Sequence, residues 1–170
     1  MAETQLPETW LRGTLTDVPA VQRAVLHALE LAKKDLEKWC GDLSDAELNA
    51  RPGNIAPVAF HIRHIARSID RLLTYAEGKE LSQGQMDALR SELDSGVGRD
   101  ELFAELANAL EGGASRVRAF DATQLEESRA VGKKRLPTTV GGLLVHIAEH
   151  AQRHVGEAIT TAKVVVASRE

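Results

Sequence analysis

The sequence predicts an all-α protein, and more narrowly a four-helix bundle with a long crossover connection. Aromatic residues make up only 4% of the 170 residues, there are only five prolines, and long runs are rich in Ala, Leu, Glu and Arg. Four segments of about 20 residues or more carry apolar residues at helical spacing. Helices of this kind can bury their apolar faces against one another in one bundle.

The first two long helices are bounded by residues that favour turns or stop a helix. The first is predicted to run from about Val18 to Trp39 and to end before Gly41. The second is predicted to run from about Ile55 to Ala76. Pro57 is compatible only with its first turn, which fixes where this helix begins.

The third and fourth long helices occupy the second half of the chain. The third is predicted from Asp100 to about Phe120, and Gly112 and Gly113 in its middle permit a close crossing or a kink. The fourth is expected to follow a hydroxyl cap at Thr138 or Thr139 and to continue to about Val166. The stretch from Asp121 to Leu136 between them is expected to be a solvated connection.

Shorter elements are expected outside the four helices. A Ser-x-x-Glu capping box that begins at Ser44 predicts one short helical turn, and a short helix is expected around Met86 to Leu93. Residues 1–16 are expected to form an arm that can dock on the body through Trp10 and Leu11. The whole chain, residues 1–170, is expected to be a single domain, because its length suits one hydrophobic core.

Charge and cysteine content narrow the possible partners. The net charge is -4, and no cluster of Lys and Arg alternates with aromatic residues, so a nucleic-acid-binding surface is not expected. No apolar run approaches the length that spans a membrane, and the first residues lack the pattern of a signal peptide. The single cysteine, Cys40, suits a reducing compartment and is expected to be a small apolar residue at the end of a helix rather than a nucleophile. These features predict a soluble cytoplasmic protein.

Five of the six histidines fall on the second and fourth long helices. In the fourth helix, His146, His150 and His154 repeat every four residues, so neighbours share a face with an offset of about 40°. The apolar positions of this helix place His154 at the edge of the buried sector, His150 a step further out and His146 on the flank. We therefore expect His150 and His154 to form a buried or half-buried pair. His61 and His64 share a stripe of the second helix beside its apolar seam.

This histidine pattern predicts a metal site of the catalytic kind. Three imidazoles without a fourth protein ligand would hold a divalent ion such as Zn, Ni or Fe and leave one position open to water or substrate. Glu149 precedes His150 instead of following the first histidine of the pair, so a zincin-type protease is not supported. The competing interpretation is that the histidines are ordinary surface or capped core residues. Carboxylates that could orient an imidazole or transfer protons are Asp70, Glu149 and Glu157.

Two stretches of the sequence resemble the DinB/YfiT-like superfamily. HIAEHAQRHVGE, from His146 to Glu157, is similar to that family's fourth-helix pattern of three histidines separated by three residues, then one residue, a glycine and Gln or Glu. PVAFHIRHIA, from Pro57 to Ala66, resembles the second-helix pattern, in which a histidine follows an aromatic residue by four positions. Glu157 stands where many relatives have Gln, and Phe60 stands where many have Trp.

The resemblance implies which histidines hold the metal. Carried over position by position, the family's ligands fall on His64, His150 and His154. The helical wheel agrees for the fourth helix but places His61 slightly nearer the apolar seam than His64, so His61 remains the alternative ligand. The resemblance also implies a bundle that is commonly a homodimer and binds a divalent metal ion.

The resemblance further implies chemistry on a small molecule. Characterised members of the superfamily include thiol-dependent S-transferases and a maleylpyruvate isomerase that use low-molecular-weight bacterial thiols. A metal ion with an open position suits this chemistry, because it can bind a thiol and lower its pKa. The alternatives are a metal-dependent hydrolase, in which the open position activates water, and a non-enzymatic helical module that binds a small ligand or a partner.

Overall fold

The computed structural model describes residues 6–169 and has six α-helices and one two-stranded sheet in that range. The four long helices are α1, α3, α5 and α6, and the short helices α2 and α4 lie between them. The bounds are α1 Ala20–Cys40, α2 Asp45–Asn49, α3 Val58–Ala76, α4 Gln83–Arg90, α5 Arg99–Arg118, β1 Ser128–Val131, β2 Leu136–Thr139 and α6 Val140–Ala167. The predicted all-α fold is therefore confirmed.

The four long helices enclose one apolar core. The helix α1 packs against α5 and α6, and α3 packs against the same two helices. The helices thus follow one another around the bundle in the order α1, α6, α3, α5, and the consecutive helices α1 and α3 lie on a diagonal. Aliphatic side chains from all four helices meet in the middle, among them Leu36, Ile65, Leu106 and Leu144, each with at most 2% of its surface exposed.

The helices α3 and α6 run antiparallel. His61 lies beside His154, and His64, three residues further along α3, lies beside His150, four residues earlier along α6. The hydroxyl of Thr161 donates to the carbonyl of Ala56 just before α3 begins, which continues the same register. The two histidine-bearing stripes therefore face each other over about one helical turn.

The helix α3 begins three residues later than the sequence predicts. Pro57 is the N-cap residue with an extended backbone, and Val58 is the first helical residue. The residue before a proline is biased away from helical backbone angles, so Ile55 and Ala56 stay outside the helix. A 3-10 turn at Pro52–Asn54 precedes this boundary.

Residues 121–136 are solvated as predicted, with none of them buried, but they also contain most of a hairpin that the sequence did not predict. The strands β1 and β2 form an antiparallel hairpin in which Val131 pairs with Leu136 and Ser128 pairs with Thr139. Thr139 also caps α6, because its hydroxyl accepts from the amide of Gly142. The backbone of Gly141 then donates to the carbonyl of Leu125 at 2.8 Å, so the start of α6 is fixed against the connection.

The short helices are both closed by capping boxes. The predicted box at Ser44 is confirmed, since Ser44 and Glu47 exchange side-chain to backbone hydrogen bonds at the start of α2. A second box, between Ser82 and Gln85, starts α4. The sequence interpretation placed this helix three residues too late because it did not use that cap. The turn after α4 contains Glu92, whose carboxylate contacts His64 of α3.

The described part of the N-terminal arm docks through a different residue from those expected. Thr9 is 1% exposed and its hydroxyl donates to the carbonyl of His27, whereas Trp10 and Leu11 remain exposed. The first five residues of the predicted arm lie outside the described residues. No helix among the described residues is long and apolar enough to cross a membrane.

The helices α5 and α3 come close together at Gly113. A Cβ placed on Gly113 would lie 2.7 Å from Cγ2 of Ile69, whereas a Cβ on Gly112 would have no neighbour within 4 Å. The sequence interpretation that this glycine pair allows a close crossing therefore applies to Gly113 alone. Gly112 faces open space on the same helix.

The two glycines provide a matched test of this contact. We expect Gly113→Ala to lower the free energy of unfolding by about 1–3 kcal/mol, because the new methyl group would overpack the core against Ile69. We expect Gly112→Ala to raise it by roughly 0.5–1 kcal/mol, because alanine favours a helix and meets nothing here. Urea denaturation measures both values, and changes of equal sign and size would contradict the close approach.

Candidate metal centre

The spacing of histidines along two helices creates the cluster. His61 and His64 are separated by three residues on α3, and His150 and His154 are separated by four on α6, so each pair projects from one face of its helix. Antiparallel packing brings the two faces together. Nε2 of His64 lies 2.9 Å from Nε2 of His150, and Nδ1 of His61 lies 3.1 Å from Nδ1 of His154.

The cluster is mostly covered by protein. The side chains of His61, His64 and His154 are 7%, 17% and 13% exposed. Phe60 covers part of it, with its ring stacked on that of His64 at 5.3 Å between centroids. The expectation that His150 and His154 form a half-buried pair agrees with the structure. His146 is more open, at 42%, and its Nδ1 lies 2.7 Å from a carboxylate oxygen of Glu149.

Two sets of three side chains have donor atoms close enough to share an ion, and His154 belongs to both. One set is His64, His150 and His154, and the other is His61, His154 and Glu157. The first set is the group that the family resemblance implies. The structure thus places His61 with a carboxylate in a second set, and the two histidines of α3 are not interchangeable members of one set.

Carboxylates contact three of the four histidines in the cluster directly. Oε2 of Glu157 lies 2.7 Å from Nδ1 of His154 and 3.3 Å from Nδ1 of His61. Oε2 of Glu92 lies 2.6 Å from Nδ1 of His64. Of the three carboxylates named from the sequence, Glu157 reaches the cluster core, and Glu149 reaches only His146. Asp70 instead pairs with Arg116 at 2.7 Å.

Glu92 was not anticipated from the sequence. It lies 28 residues after His64, in the turn after α4, and no motif connects the two positions. Its side chain is 5% exposed, and its second oxygen accepts from Arg71 at 2.6 Å. Burial by itself raises the pKa of Glu92, but hydrogen bonds from His64 and Arg71 outweigh it, so the pKa is lowered and the carboxylate is ionised at neutral pH.

Burial favours the neutral form of three imidazoles in this cluster, those of His61, His150 and His154. It lowers the pKa of His150 to about 4, with a further contribution from the neighbouring histidines. Burial also lowers the pKa of His61 to about 4, although the carboxylate of Glu157 opposes this. The pKa of His154 is lowered chiefly by burial as well. Neutral imidazole is the form that binds a metal ion, so these rings need not lose protons at pH 7.

The donor set fits a divalent transition metal. His64 and His150 direct ring nitrogens at each other across 2.9 Å, and His154 completes a group of three nitrogens that an ion such as Zn, Ni or Fe accepts. Nδ1 of His150 is buried and has no hydrogen-bond partner among the described residues. The described residues include no cysteine near the cluster, since the sole cysteine, Cys40, is buried in the core.

A cavity opens beside the cluster. It has a volume of about 670 Å³, within the range of about 300–1,000 Å³ that is usual for small-molecule sites. His61 and Glu157 form the part of its wall that adjoins His154. Its other lining residues include Ile55, Arg153 and Thr160. A small molecule in this cavity would therefore contact His61 and Glu157, whereas His64, His150 and His154 do not line it.

The sequence matches a known family over most of its length. A sequence model of the DinB superfamily matches residues 28–158, which include all four histidines of the cluster and the whole of α3. No curated protein matches the chain.

A solved structure has the same fold. A conserved protein from Enterococcus faecalis superposes with a TM-score of 0.72, and the match covers 88% of this chain and 99% of that one. The two sequences are 20% identical, so the likeness shows the fold alone.

The lowered pKa of His61 predicts a loss of stability in acid. Between its unfolded value near 6.5 and its folded value of about 4, the unfolded state binds a proton that the folded state does not. Stability of the metal-free protein should therefore be highest above pH 6.5 and fall towards pH 4. His61→Gln, which cannot titrate there, should show a smaller fall.

Thermal melts at a series of pH values measure this effect. His146→Gln is the control, because its ring is already 42% exposed, and it should keep the steep fall of the natural protein. If His61→Gln and the natural protein lost stability equally between pH 6.5 and 4, burial of His61 would not be the cause.

Proposed function

The chain belongs to the DinB superfamily, and from this premise we propose that it is a metal-dependent enzyme that transfers a thiol to a small electrophile or carries out a related isomerisation. We propose His64, His150 and His154 as the metal ligands. The observation that carries this proposal is the convergence of ring nitrogens from three largely buried histidines, His64, His150 and His154.

In this proposal, the residues of the cluster have three separate roles: binding the ion, orienting a ligand and excluding water. His64, His150 and His154 would hold the ion, which when bound supplies a Lewis acid that lowers the pKa of a thiol. Glu157 accepts the Nδ1 proton of His154, and this hydrogen bond leaves Nε2 of that ring free as a ligand atom. Phe60, stacked on His64, shields the ring from water.

The cavity is where the substrate would bind. Ile55 supplies an apolar surface at its rim, while Arg153 and Thr160 supply polar groups. His61 lines the same cavity beside Glu157. Its ring can therefore donate a hydrogen bond to a bound molecule or accept one from it. A small electrophile that enters here would meet the thiol next to the three-histidine group.

The remaining expectations are proposals of the same kind. The shared core of the four long helices supports a single domain. A homodimer is proposed from the family resemblance alone, and sedimentation velocity would measure its mass. The single buried cysteine supports a cytoplasmic location.

Metal content tests the ligand set. Protein purified without a metal-binding tag and incubated with Zn or Ni is expected to hold about one ion per three-histidine group. His64→Ala and His150→Ala should weaken binding by more than the roughly 10- to 100-fold typical of outer-shell changes. His61→Ala should keep the ion. Elemental analysis after dialysis measures each variant, with His27→Ala as the control on a different helix.

Two results would contradict this assignment. If His61→Ala lost the ion and His64→Ala kept it, the metal site would be the set of His61, His154 and Glu157. Absence of metal from the natural protein after incubation with Zn and Ni would overturn the metal-dependent enzyme and leave a helical module that binds a small ligand.

Thiol dependence tests the reaction class. The zinc-loaded protein is expected to conjugate cysteine or glutathione to a chlorodinitrobenzene faster than the uncatalysed background, and His150→Ala should return the rate to background. Absorbance of the thioether product measures the rate. Hydrolysis of a nitrophenyl ester without any added thiol, and no conjugation with it, would instead identify a hydrolase at the same site.

A further inference from the structure

Three arginines on one side of α3 hold the turn that follows α4. Arg63 donates to the carbonyls of Ser91 and Asp94 at 3.2 and 2.8 Å, and Arg67 donates to the carbonyl of Ala88 at 2.6 Å. The third, Arg71, donates to the carboxylate of Glu92. These arginines recur every four residues, so they form a row along the helix.

The row determines where Glu92 lies. Because Arg63 and Arg67 bind the backbone on both sides of Glu92, its side chain is directed inward onto α3. There it bridges Arg71 and His64, which are seven residues apart and therefore lie on one face of the helix. Each of the two Glu92 oxygens has its own partner at 2.6 Å.

Burial of this group has a cost that needs an explanation. Glu92 is 4% exposed and Arg71 is 9% exposed, in a bundle whose largest fully buried side chains are almost all aliphatic. A buried ion pair is often no more stabilising than apolar residues of the same size, so its presence is weak evidence for a role in stability alone. The hydrogen bond between Glu92 and His64 indicates a second role for this buried pair, at the proposed metal site.

We propose that Glu92 is a positioning residue for the metal ligand His64: it accepts the Nδ1 proton of that ring, so that Nε2 is left unprotonated and directed at His150. This inference rests on the proposed three-histidine site and adds a residue to it. Arg71 completes the arrangement by occupying the other oxygen of Glu92, so that the carboxylate keeps one orientation. A ligand histidine commonly donates its second ring nitrogen to a carboxylate in this way.

The proposed role requires two acceptor oxygens at position 92, one for His64 and one for Arg71. A glutamine at position 92 would have one oxygen and one amino group. Arg71 can only donate, so it would take the oxygen and turn the amino group towards Nδ1 of His64. Nδ1 would then have to accept, the proton would move to Nε2, and the atom directed at His150 would no longer be a ligand.

The test therefore compares Glu92→Gln with the double variant Glu92→Gln, Arg71→Met. Without the arginine, the glutamine oxygen is free to accept from His64 again, so the double variant should recover. Glu105→Gln is the matched control, because Glu105 accepts from Arg67 in the same row and has no hydrogen bond to a histidine. The Glu→Gln substitutions keep the shape of the natural side chain, and Arg71→Met keeps an unbranched chain but removes the guanidinium.

Two measurements on the full-length protein read the result. Long-range proton–nitrogen NMR of the metal-free protein reports which nitrogen of His64 is protonated, with His64→Gln used to assign its signals. Competition with a chromophoric chelator gives the Kd for zinc. We expect Nδ1 protonation in the natural protein and Nε2 protonation in Glu92→Gln, with zinc binding weakened about 10- to 100-fold. The double variant should regain Nδ1 protonation and most of the affinity.

The possible failures are distinguishable. If Glu92→Gln kept Nδ1 protonation and its Kd lay within about twofold of the natural value, Glu92 would be a structural residue only. Failure of the double variant to recover would overturn the part assigned to Arg71. If the natural protein bound no zinc, the proposed metal site would be wrong, while the NMR comparison would still decide whether Glu92 sets the protonation of His64.

Discussion

The antiparallel packing of α3 against α6 is the constraint on which the rest of the site depends. Neither helix carries all three nitrogens of the proposed ligand set: His150 and His154 lie on α6, and His64 lies on α3. A slide by one turn would separate His64 from His150 by about 5 Å more. The apolar residues that alternate with the histidines, such as Ile62 and Ile147, are fully buried and prevent that slide. The core that stabilises the fold thus also sets the distances in the site.

The polar groups beside this interface are costly to bury. Histidines, Arg71 and Glu92 lie within a region that aliphatic side chains would fill more favourably. The structure satisfies most of them in pairs: Glu92 with His64 and Arg71, and Glu157 with His154. Such a concentration of buried polar groups is expected at a functional site, where residues serve the function at a cost in stability. The family match and the cavity beside the cluster agree with that interpretation.

Parts of the fold could be predicted because their physical signal is local. The periodicity of apolar residues located the four long helices to within about three residues, and the Ser44 capping box located α2. The hairpin was missed because its strands have only four residues each and Pro137, which normally argues against a strand, lies in one of them. The left-handed backbone of Arg135 at the end of its turn also has no sequence signal. Glu92 was missed because its contact with His64 depends on where three arginines hold a distant turn.

The sequence by itself determined the helical class, the family and the four histidines that could face one another, since spacing along a helix decides which side chains share a face. It left open whether His61 or His64 belongs with His150 and His154. Only the tertiary structure separated these two histidines, by pairing His64 with His150 and placing His61 beside His154 and Glu157. The physical reason is that the register between two helices is set by packing of the whole core. A local pattern on either helix does not contain that information.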